Sequence, residues 1–576
     1  MTAELLTLPR CQPLASRKNE RRRSRRLVGR LRRPSEGLSV FALSATVYLT
    51  VAIEMLHRGV VYTDATSRVA NGFFVLFSRD PHLPAVGFVW NPLPSLLLSP
   101  LLALKSVFPV LVRDGFAGNL ESVVFMAGSV ALLAGCLRRL EVSRVLRLLL
   151  VGLFALHPMM ITYAGNGESE AVLLFFLLLA LRSLIGWLGE RQPARLAGTG
   201  VALALAYLSR YEAVAPAVAV TLLVALVSAH RATGTVGQRA RSALNDAVLV
   251  AFPFIFAFGL WALSSRLLVG SWFPTFSSEY GNAAQVGASA EGITQVTGTT
   301  HLAAVQYVLE QLAGLQPFAA PLLVLAVIVA VRRRDLLSVA APTVLGAVLA
   351  FDNLAFLSGN SFGWLRFQIT LIPLTVLAAG RVLGSWSGST SPAAQQPRRG
   401  RARSVRVPAV LAVFVLIATA VALPISAMTL TSHRLAREET QAMLAAFSPA
   451  RATAEDRRHL LILQTEKQVA DDLDAMHLGP GHVLTDSAYS FAVILASSRP
   501  KQFVITSDRD FRQAVADPKG HQVRYLLVPE PAFARADAVL RSRPTLYDTG
   551  GGISDVVRTW RSAAGTGNWR LLQVRR

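Results

Sequence analysis

The sequence predicts a polytopic α-helical membrane protein with a small α/β domain at its C-terminal end. Of the 576 residues, 52% are hydrophobic and only 16% are charged, too few charges for the surface of a soluble chain of this length. Apolar runs of about 18–22 residues recur from Leu38 to Leu423, long enough to cross a hydrocarbon core of ~30 Å. Beyond Leu423 the pattern changes to short apolar runs separated by turn residues.

About eleven segments are predicted to cross the membrane, with the N-terminus in the cytoplasm and the C-terminus outside. They are 38–58, 121–137, 146–164, 170–188, 196–209, 213–229, 246–268, 303–331, 336–357, 366–385 and 408–428. The segment 92–112 is also apolar, but a crossing there would place the basic residues between Arg138 and Arg147 outside, against the positive-inside rule. Its four prolines favour an interrupted helix that lies along the outer interface or dips into the membrane and returns.

The basic residues lie where cytoplasmic loops are expected. The net charge is +23, and it is concentrated in the N-terminal tail and in short connections between the apolar runs. This pattern indicates membrane topology rather than a nucleic-acid partner. We therefore predict a cytoplasmic tail over 1–37, a membrane domain over 38–385, a cytoplasmic linker over 386–407 and a last membrane helix over 408–428.

Residues 429–576 are predicted to form an α/β domain outside the plasma membrane. Residues 432–447 have the pattern of an amphipathic helix. Apolar runs bounded by turn residues then predict strands at His482–Asp486, Phe503–Thr506, Val523–Val528 and Leu571–Val574. The two cysteines, Cys11 and Cys136, fall in the tail and at the inner end of a span, so neither can form a disulfide in this domain.

Asp64 is the most informative single residue. It follows the first apolar span and opens an amphipathic stretch, Ala65 to Ser78, that is predicted to lie on the membrane surface. Two interpretations are open: Asp64 is the N-cap of that helix, or it is a general base beside a lipid-borne substrate.

Two further acidic residues, Glu168 and Glu170, follow Tyr163 in an outer loop. The preference of helix N-termini for acidic residues accounts for one of them. The pair could instead orient an acceptor hydroxyl or bind a divalent cation. The sequence shows no metal-ligand spacing, so a cation is a cofactor left open and its ligands are unknown.

Arg210, Tyr211 and Glu212 form the bend of an apolar hairpin, and Arg366 lies at the outer end of a later span. Arg210 and Glu212 could simply neutralise each other, and Arg366 could bind a lipid headgroup. Both arginines are also suited to a phosphate, which a guanidinium group binds through two hydrogen bonds.

These residues, in their order and on their common side, resemble the GT-C superfamily of polyprenyl-phosphate-sugar-dependent glycosyltransferases over about residues 38–385. Protein O-mannosyltransferases and lipid A aminoarabinose transferases are members. The resemblance implies that Asp64 is the catalytic base and that Glu168 is the second outer acidic residue. It also implies that Arg210 and Arg366 bind the donor phosphate, with Tyr163, Tyr211 and Glu212 in support. Ala65 departs from the Asp-Glu pair of the O-mannosyltransferases, which leaves the subfamily open.

The resemblance implies an inverting transfer of a sugar from a polyprenyl-phosphate donor to a glycan, lipid or protein acceptor at the outer face. The main alternative is a transporter or flippase of lipid-linked sugars, which would place ionisable residues near the middle of the spans and show repeated halves. A third interpretation, with the C-terminal domain as the active part and the spans as its anchor, requires far fewer spans. The sequence does not identify the sugar, the acceptor or the oligomeric state.

Overall fold

The computed structural model describes residues 35–384 and 409–575. The predicted tail and linker therefore lie almost wholly outside the described residues, as does Cys11. Within the described ranges, eight helical segments are long and apolar enough to cross a membrane. They are Glu36–His57, Phe116–Arg139, Glu170–Glu190, Tyr211–Arg231, Val236–Val269, Leu336–Leu357, Leu365–Gly384 and Val410–Thr429.

Two further spans are bent pairs of helices, which brings the number of candidate crossings to as many as ten in the described part of the chain. Arg144–Ala155 and Pro158–Gly165 meet at 60°, and His301–Leu315 and Ala319–Arg333 meet at 77°. Pro158 and Pro317 lie at these breaks, because proline cannot donate the backbone hydrogen bond that a continuous helix needs. The remaining predicted crossing, 196–209, is the helix Pro193–Ser209 of 17 residues, shorter than the other single-helix spans.

The segment 92–112 does not form a helix that could cross the membrane. It contains the short helices Leu93–Leu97 and Ser99–Leu102, and Val110–Arg113 follows after a turn. The interrupted structure expected from its prolines is therefore found. This segment packs beside the helix Thr63–Phe77, which carries Asp64 and which we call the Asp64 helix.

The C-terminal region, residues 437–575, contains one five-stranded mixed sheet. Its strands are β1 (Val483–Leu484), β2 (Phe503–Val504), β3 (Tyr525–Pro529), β4 (Ser554–Trp560) and β5 (Trp569–Val574), in the order β2-β1-β3-β5-β4. Strand β1 is parallel to β2 and β3, and β5 is antiparallel to β3 and β4. The surrounding helices are Arg437–Phe447, Ala454–His459, Gln464–Ala475, Ser487–Ala496, Phe511–Ala516, Ala538–Ser542 and Leu546–Thr549.

Strand β4 was not expected from the sequence. Only its two end residues are buried, and it carries Asp555 and Arg558 on the exposed part, so it lacks the apolar run that marks the other strands. The sequence also predicts a helix over Ala532–Arg541, whereas the helix in the structure spans only Ala538–Ser542.

Ion pairs join the C-terminal region to the membrane helices and their loops. Arg113 contacts Asp471 at 2.8 Å, and Lys467 contacts Asp114 at 2.5 Å. Asp508 lies 3.0 Å from Arg79, just beyond the Asp64 helix. These contacts fix the C-terminal region over the end of the bundle that carries Asp64.

Candidate active site

A pocket at one end of the helical bundle collects most of the charged residues expected from the sequence. Its volume is about 90 Å³. Its charged lining residues are Asp64, Arg68, Arg210, Glu212 and Arg366, and its aromatic lining residues are Trp90, Tyr211, Phe362, Trp364 and Phe367. Aromatic walls with a few charged groups are typical of a site that binds a small polar group. We call this space the inner pocket.

Arg366 is the centre of a network of carboxylates. Its side chain is only 3% exposed, so its charge needs close partners. Asp64 lies 3.0 Å from it, Glu168 and Glu438 each lie 3.3 Å from it, and Glu170 lies 3.7 Å from it. The fold thus brings together three predicted acidic residues and a predicted arginine that is 302 positions from Asp64 in the chain.

Asp64 lies in the first turn of its helix and is not the N-cap. The capping residue is Tyr62, whose side chain makes no capping hydrogen bond. The N-cap interpretation of Asp64 is therefore wrong, and Asp64 Oδ2 instead accepts a hydrogen bond from Arg366. The Asp64 side chain is 32% exposed, whereas that of Glu168 is fully enclosed. Of these two carboxylates, only Asp64 can be reached by an incoming molecule.

Arg210 is held between two carboxylates at the bend of the hairpin. Its guanidinium group donates hydrogen bonds to Glu212 and to Glu170, each at 2.6 Å. Burial works against the charged form, but the two neighbouring carboxylates outweigh it and raise the pKa of Arg210 above its ordinary value. The expected neutralisation of Arg210 by Glu212 is found, and Glu170 joins the same cluster.

Glu168 occupies an unusual electrostatic position. Burial raises its pKa to about 8, although Arg366 works in the opposite direction. Neither of its carboxylate oxygens accepts a hydrogen bond from a residue that the structure describes. A buried carboxylate of this kind is expected to be protonated at neutral pH or to have a cationic partner.

Three carboxylates are close enough together to share a metal ion. Ligand atoms of Asp64, Glu168 and Glu438 all lie within 4.8 Å of one another. Carboxylate oxygens suit hard divalent cations such as Mg²⁺ and Mn²⁺. The Arg366 guanidinium contacts the same three carboxylates, so an ion and the guanidinium would share these partners.

The two predicted supporting tyrosines lie in different places. Tyr211 lines the inner pocket and packs against Phe276 and Phe351. Tyr163 is fully buried behind the pocket and donates a hydrogen bond of 2.7 Å to Glu439. Tyr163 therefore supports the site through the acidic helix Arg437–Phe447 and does not face the pocket.

Two functional candidates were missed in the sequence. Arg68 lines the inner pocket, is 8% exposed and lies over the ring of Trp90 at 4.4 Å. Its guanidinium group forms no ion pair with any described residue. The available signal was its spacing, because a residue four positions after Asp64 lies on the same face of the helix.

Glu438 is the second missed residue. It lies on the helix Arg437–Phe447, beyond the last membrane helix, and still reaches Arg366. The sequence shows an amphipathic helix there, but nothing in its pattern indicates which distant group the helix contacts. Glu438 and Glu439 thus connect the C-terminal region to the inner pocket.

Comparison with known proteins agrees with this arrangement. Residues 100–261 match the PMT_2 family model, dolichyl-phosphate-mannose-protein mannosyltransferase. No curated protein matches the chain in sequence.

Among solved structures, ArnT from Cupriavidus metallidurans bound to undecaprenyl phosphate matches 94% of this chain and 98% of its own length. The identity is 14% and the TM-score is 0.50. The same protein in the apo state matches 92% of this chain and 97% of its own, with 13% identity and a TM-score of 0.49. The oligosaccharyltransferase AglB from Archaeoglobus fulgidus, in complex with an inhibitory peptide and a dolichol-phosphate, matches 86% and 69%, with 12% identity and a TM-score of 0.42.

The whole chain thus has an ArnT-like fold, that of a multi-pass helical membrane protein with a C-terminal sheet region and a charged pocket at one end of its bundle. Within this fold, the segment 100–261 is similar to the PMT_2 family of glycosyltransferases.

Proposed function

We propose that this glycosyltransferase inverts the anomeric centre as it moves a sugar from a polyprenyl phosphate to an acceptor hydroxyl on the outer face of the plasma membrane. The observation that supports this most strongly is the inner pocket. There the partly exposed carboxylate of Asp64 lies 3.0 Å from Arg366, and Arg68 lines the same space. A base and phosphate-binding cations are thus adjacent.

The proposed reaction is a single displacement. The acceptor oxygen attacks the anomeric carbon from the side opposite the phosphate, and the bond from that carbon to the phosphate oxygen breaks. Asp64 accepts the proton of the hydroxyl group, a role that contributes about 10²–10⁴-fold to the rate. The electron pair of the broken bond leaves on the polyprenyl phosphate, and one displacement inverts the anomeric configuration.

Arg68, Arg210 and Arg366 are the proposed phosphate-binding residues. Arg210 and Arg366 are each held by carboxylates, which keep these side chains oriented toward the pocket. Arg68 pairs with no carboxylate in the described part of the chain, so a phosphate can bind it without displacing an existing ion pair. Fixed positive charge in a poorly solvated pocket stabilises the charge that develops on the leaving phosphate.

A divalent cation is the cofactor that the acidic cluster favours. Asp64, Glu168 and Glu438 would hold it through oxygen ligands, and it would supply positive charge for the departing phosphate. Glu170 remains the partner of Arg210 in this arrangement.

The test is transfer from a panel of radiolabelled polyprenyl-phosphate sugars in membranes that contain the wild-type chain, with membranes lacking it as the control. We expect one donor to label an acceptor, with inverted anomeric configuration in the product. A chelator followed by Mn²⁺ or Mg²⁺ then tests the cation. Movement of lipid-linked sugar across vesicles without any transfer would favour the transporter instead.

A further inference from the structure

A second and much larger cavity lies between the membrane helices and the C-terminal region. Its volume is about 1480 Å³. One wall comes from the Asp64 helix and the segment that follows it, up to Trp90, and another from residues within 268–285. The C-terminal region supplies the rest, from 487–491, 506–515 and 538–542. We call this space the interdomain cavity.

The interdomain cavity adjoins the inner pocket. Val89, Trp90 and Gln285 line both spaces. A molecule bound in the interdomain cavity could therefore place one end beside Asp64. The cavity exceeds the ~300–1,000 Å³ of common small-molecule pockets, so it has room for an extended ligand.

Two polar atoms of residues in the cavity wall, Asp508 and Ser507, have no hydrogen-bond partner among the described residues. Asp508 is 4% exposed, and its Oδ2 accepts hydrogen bonds from Arg79 and from the Ile505 backbone, whereas its Oδ1 accepts none. The buried hydroxyl group of Ser507 is also without a partner. Buried polar atoms of this kind are uncommon in proteins, and these two are enclosed within the wall. Burial raises the pKa of Asp508 to about 6, so at neutral pH it is an acceptor for donated hydrogen bonds.

The remaining lining combines aromatic rings with polar groups. Trp90, Tyr280 and Tyr489 are half-buried in the wall and present ring surface to the cavity. Arg512 is exposed there and forms no ion pair with the described residues, so its donors are free. A sugar matches this lining, because the C–H groups of a pyranose pack on aromatic rings while its hydroxyl groups both donate and accept hydrogen bonds. A polyprenyl chain has no polar groups that could accept hydrogen bonds from Arg512.

We propose that the interdomain cavity binds the acceptor and that the acceptor is a saccharide chain. This inference rests on the proposed function and names its acceptor class. The end sugar of the chain passes Trp90 and presents a hydroxyl group to Asp64, and the sugars behind it lie against the C-terminal region. The C-terminal region is then the part of the enzyme that selects the acceptor.

Two variants remove the binding surface without touching the inner pocket. Ala488→Trp fills the cavity from an exposed position on the helix Ser487–Ala496, and Arg512→Ala removes the free donors. Ala532→Trp and Arg535→Ala make the same changes at exposed positions of the C-terminal region that do not line the cavity.

The experiment uses the full chain in nanodiscs on a glycan array, with binding of radiolabelled undecaprenyl phosphate measured in parallel. We expect the wild type and both controls to bind a subset of the saccharides. Ala488→Trp should weaken that binding by about tenfold or more and Arg512→Ala by about threefold to tenfold, as for lost contacts in a ligand site. Undecaprenyl phosphate binding should be equal in all five proteins.

Absence of saccharide binding by the wild type would overturn the proposal, as would binding that survives Ala488→Trp. Loss of undecaprenyl phosphate binding in Ala488→Trp would show that the donor occupies the interdomain cavity, and this result would also overturn the proposal. Failure of the proposed function is a different result, in which the wild type binds no undecaprenyl phosphate and transfers no sugar.

Discussion

Among the arginines of the inner pocket, Arg68 differs because it has no carboxylate partner in the described parts of the chain. Its burial lowers its pKa, with Glu168 acting in the opposite direction. A buried guanidinium group without a partner gains more from an arriving phosphate than one that must exchange partners.

We expect Arg68→Ala to weaken binding of radiolabelled undecaprenyl phosphate by about tenfold to 100-fold, the value of one or two charge-assisted hydrogen bonds. The exposed Arg58, which pairs with Glu54 one turn before it, is the matched control, and Arg58→Ala should leave binding unchanged. Equal losses of undecaprenyl phosphate binding in Arg68→Ala and Arg58→Ala would show that Arg68 does not bind the phosphate group.

Glu168 predicts a pH dependence of donor binding. Its pKa is about 8, so it is neutral below that pH and adds negative charge beside the phosphate site above it. In the presence of a chelator, the dissociation constant of undecaprenyl phosphate should therefore rise as the pH increases through about 8. In Glu168→Gln this rise should be absent. A rise of the same size in Glu168→Gln would show that a group other than Glu168 causes the pH dependence.

At the scale of elements, short helices and loops position the charged and polar residues of the inner pocket and the interdomain cavity. The helix Arg437–Phe447 brings Glu438 to Arg366, and the loop containing Tyr280 is joined to the C-terminal region. The Tyr280 hydroxyl group donates a hydrogen bond of 2.6 Å to Asp486, which also caps the helix Ser487–Ala496. These contacts hold the loop over the space between the two parts of the molecule.

Asp537 caps the neighbouring helix Ala538–Ser542 and makes the C-terminal region sensitive to pH. Burial and the nearby Asp486 raise its pKa to about 7. Since this exceeds the unfolded value of about 3.9, the stability linked to its protonation is fully present below about pH 4. That stability is lost as the pH rises through about 7.

Asp537→Asn keeps the Oδ1 acceptor that caps the Val539 and Leu540 backbone amides. At pH 8 we expect Asp537→Asn to raise the free energy of local opening of residues 538–542 by roughly 1–3 kcal/mol. At pH 4 we expect the variant to change this free energy little. Hydrogen exchange of the amides of residues 538–542 measures this free energy. Weaker protection at pH 8 in the variant would show that the charged carboxylate is the better cap.

The local sequence pattern predicts where helices and strands lie better than it predicts which distant residues contact one another. The apolar runs and the interrupted segment 92–112 follow from side-chain polarity and proline, which act within a few residues. All four predicted strands were found near their expected places, but β4 has exposed charged residues and gave no apolar signal. Arg366 was predicted as a phosphate ligand from its position alone, whereas its four carboxylate contacts come from tertiary packing that no local pattern encodes.

For the whole molecule, the distribution of basic residues predicts that the C-terminal region and the inner pocket face outward. The described helices supply eight to ten candidate crossings but do not set their orientation. With Cys11 and Cys136 replaced by serine, Ala532→Cys should react with a membrane-impermeant maleimide in intact cells. Thr233→Cys, in a predicted cytoplasmic loop, should react only after permeabilisation. The reverse pattern would place the pocket on the cytoplasmic face.

The central claim is that Asp64 is the base in transfer from a polyprenyl-phosphate sugar, and it is tested by comparing transfer and donor binding in Asp64→Asn. We expect transfer by the purified, correctly inserted variant to fall by about 10²–10⁴-fold, because the base is lost while the phosphate-binding arginines remain. Binding of undecaprenyl phosphate should persist, and Asp80→Asn, which alters a carboxylate paired with Arg509, should keep full transfer. Transfer by Asp64→Asn at the wild-type rate would contradict the claim and assign the base to another residue.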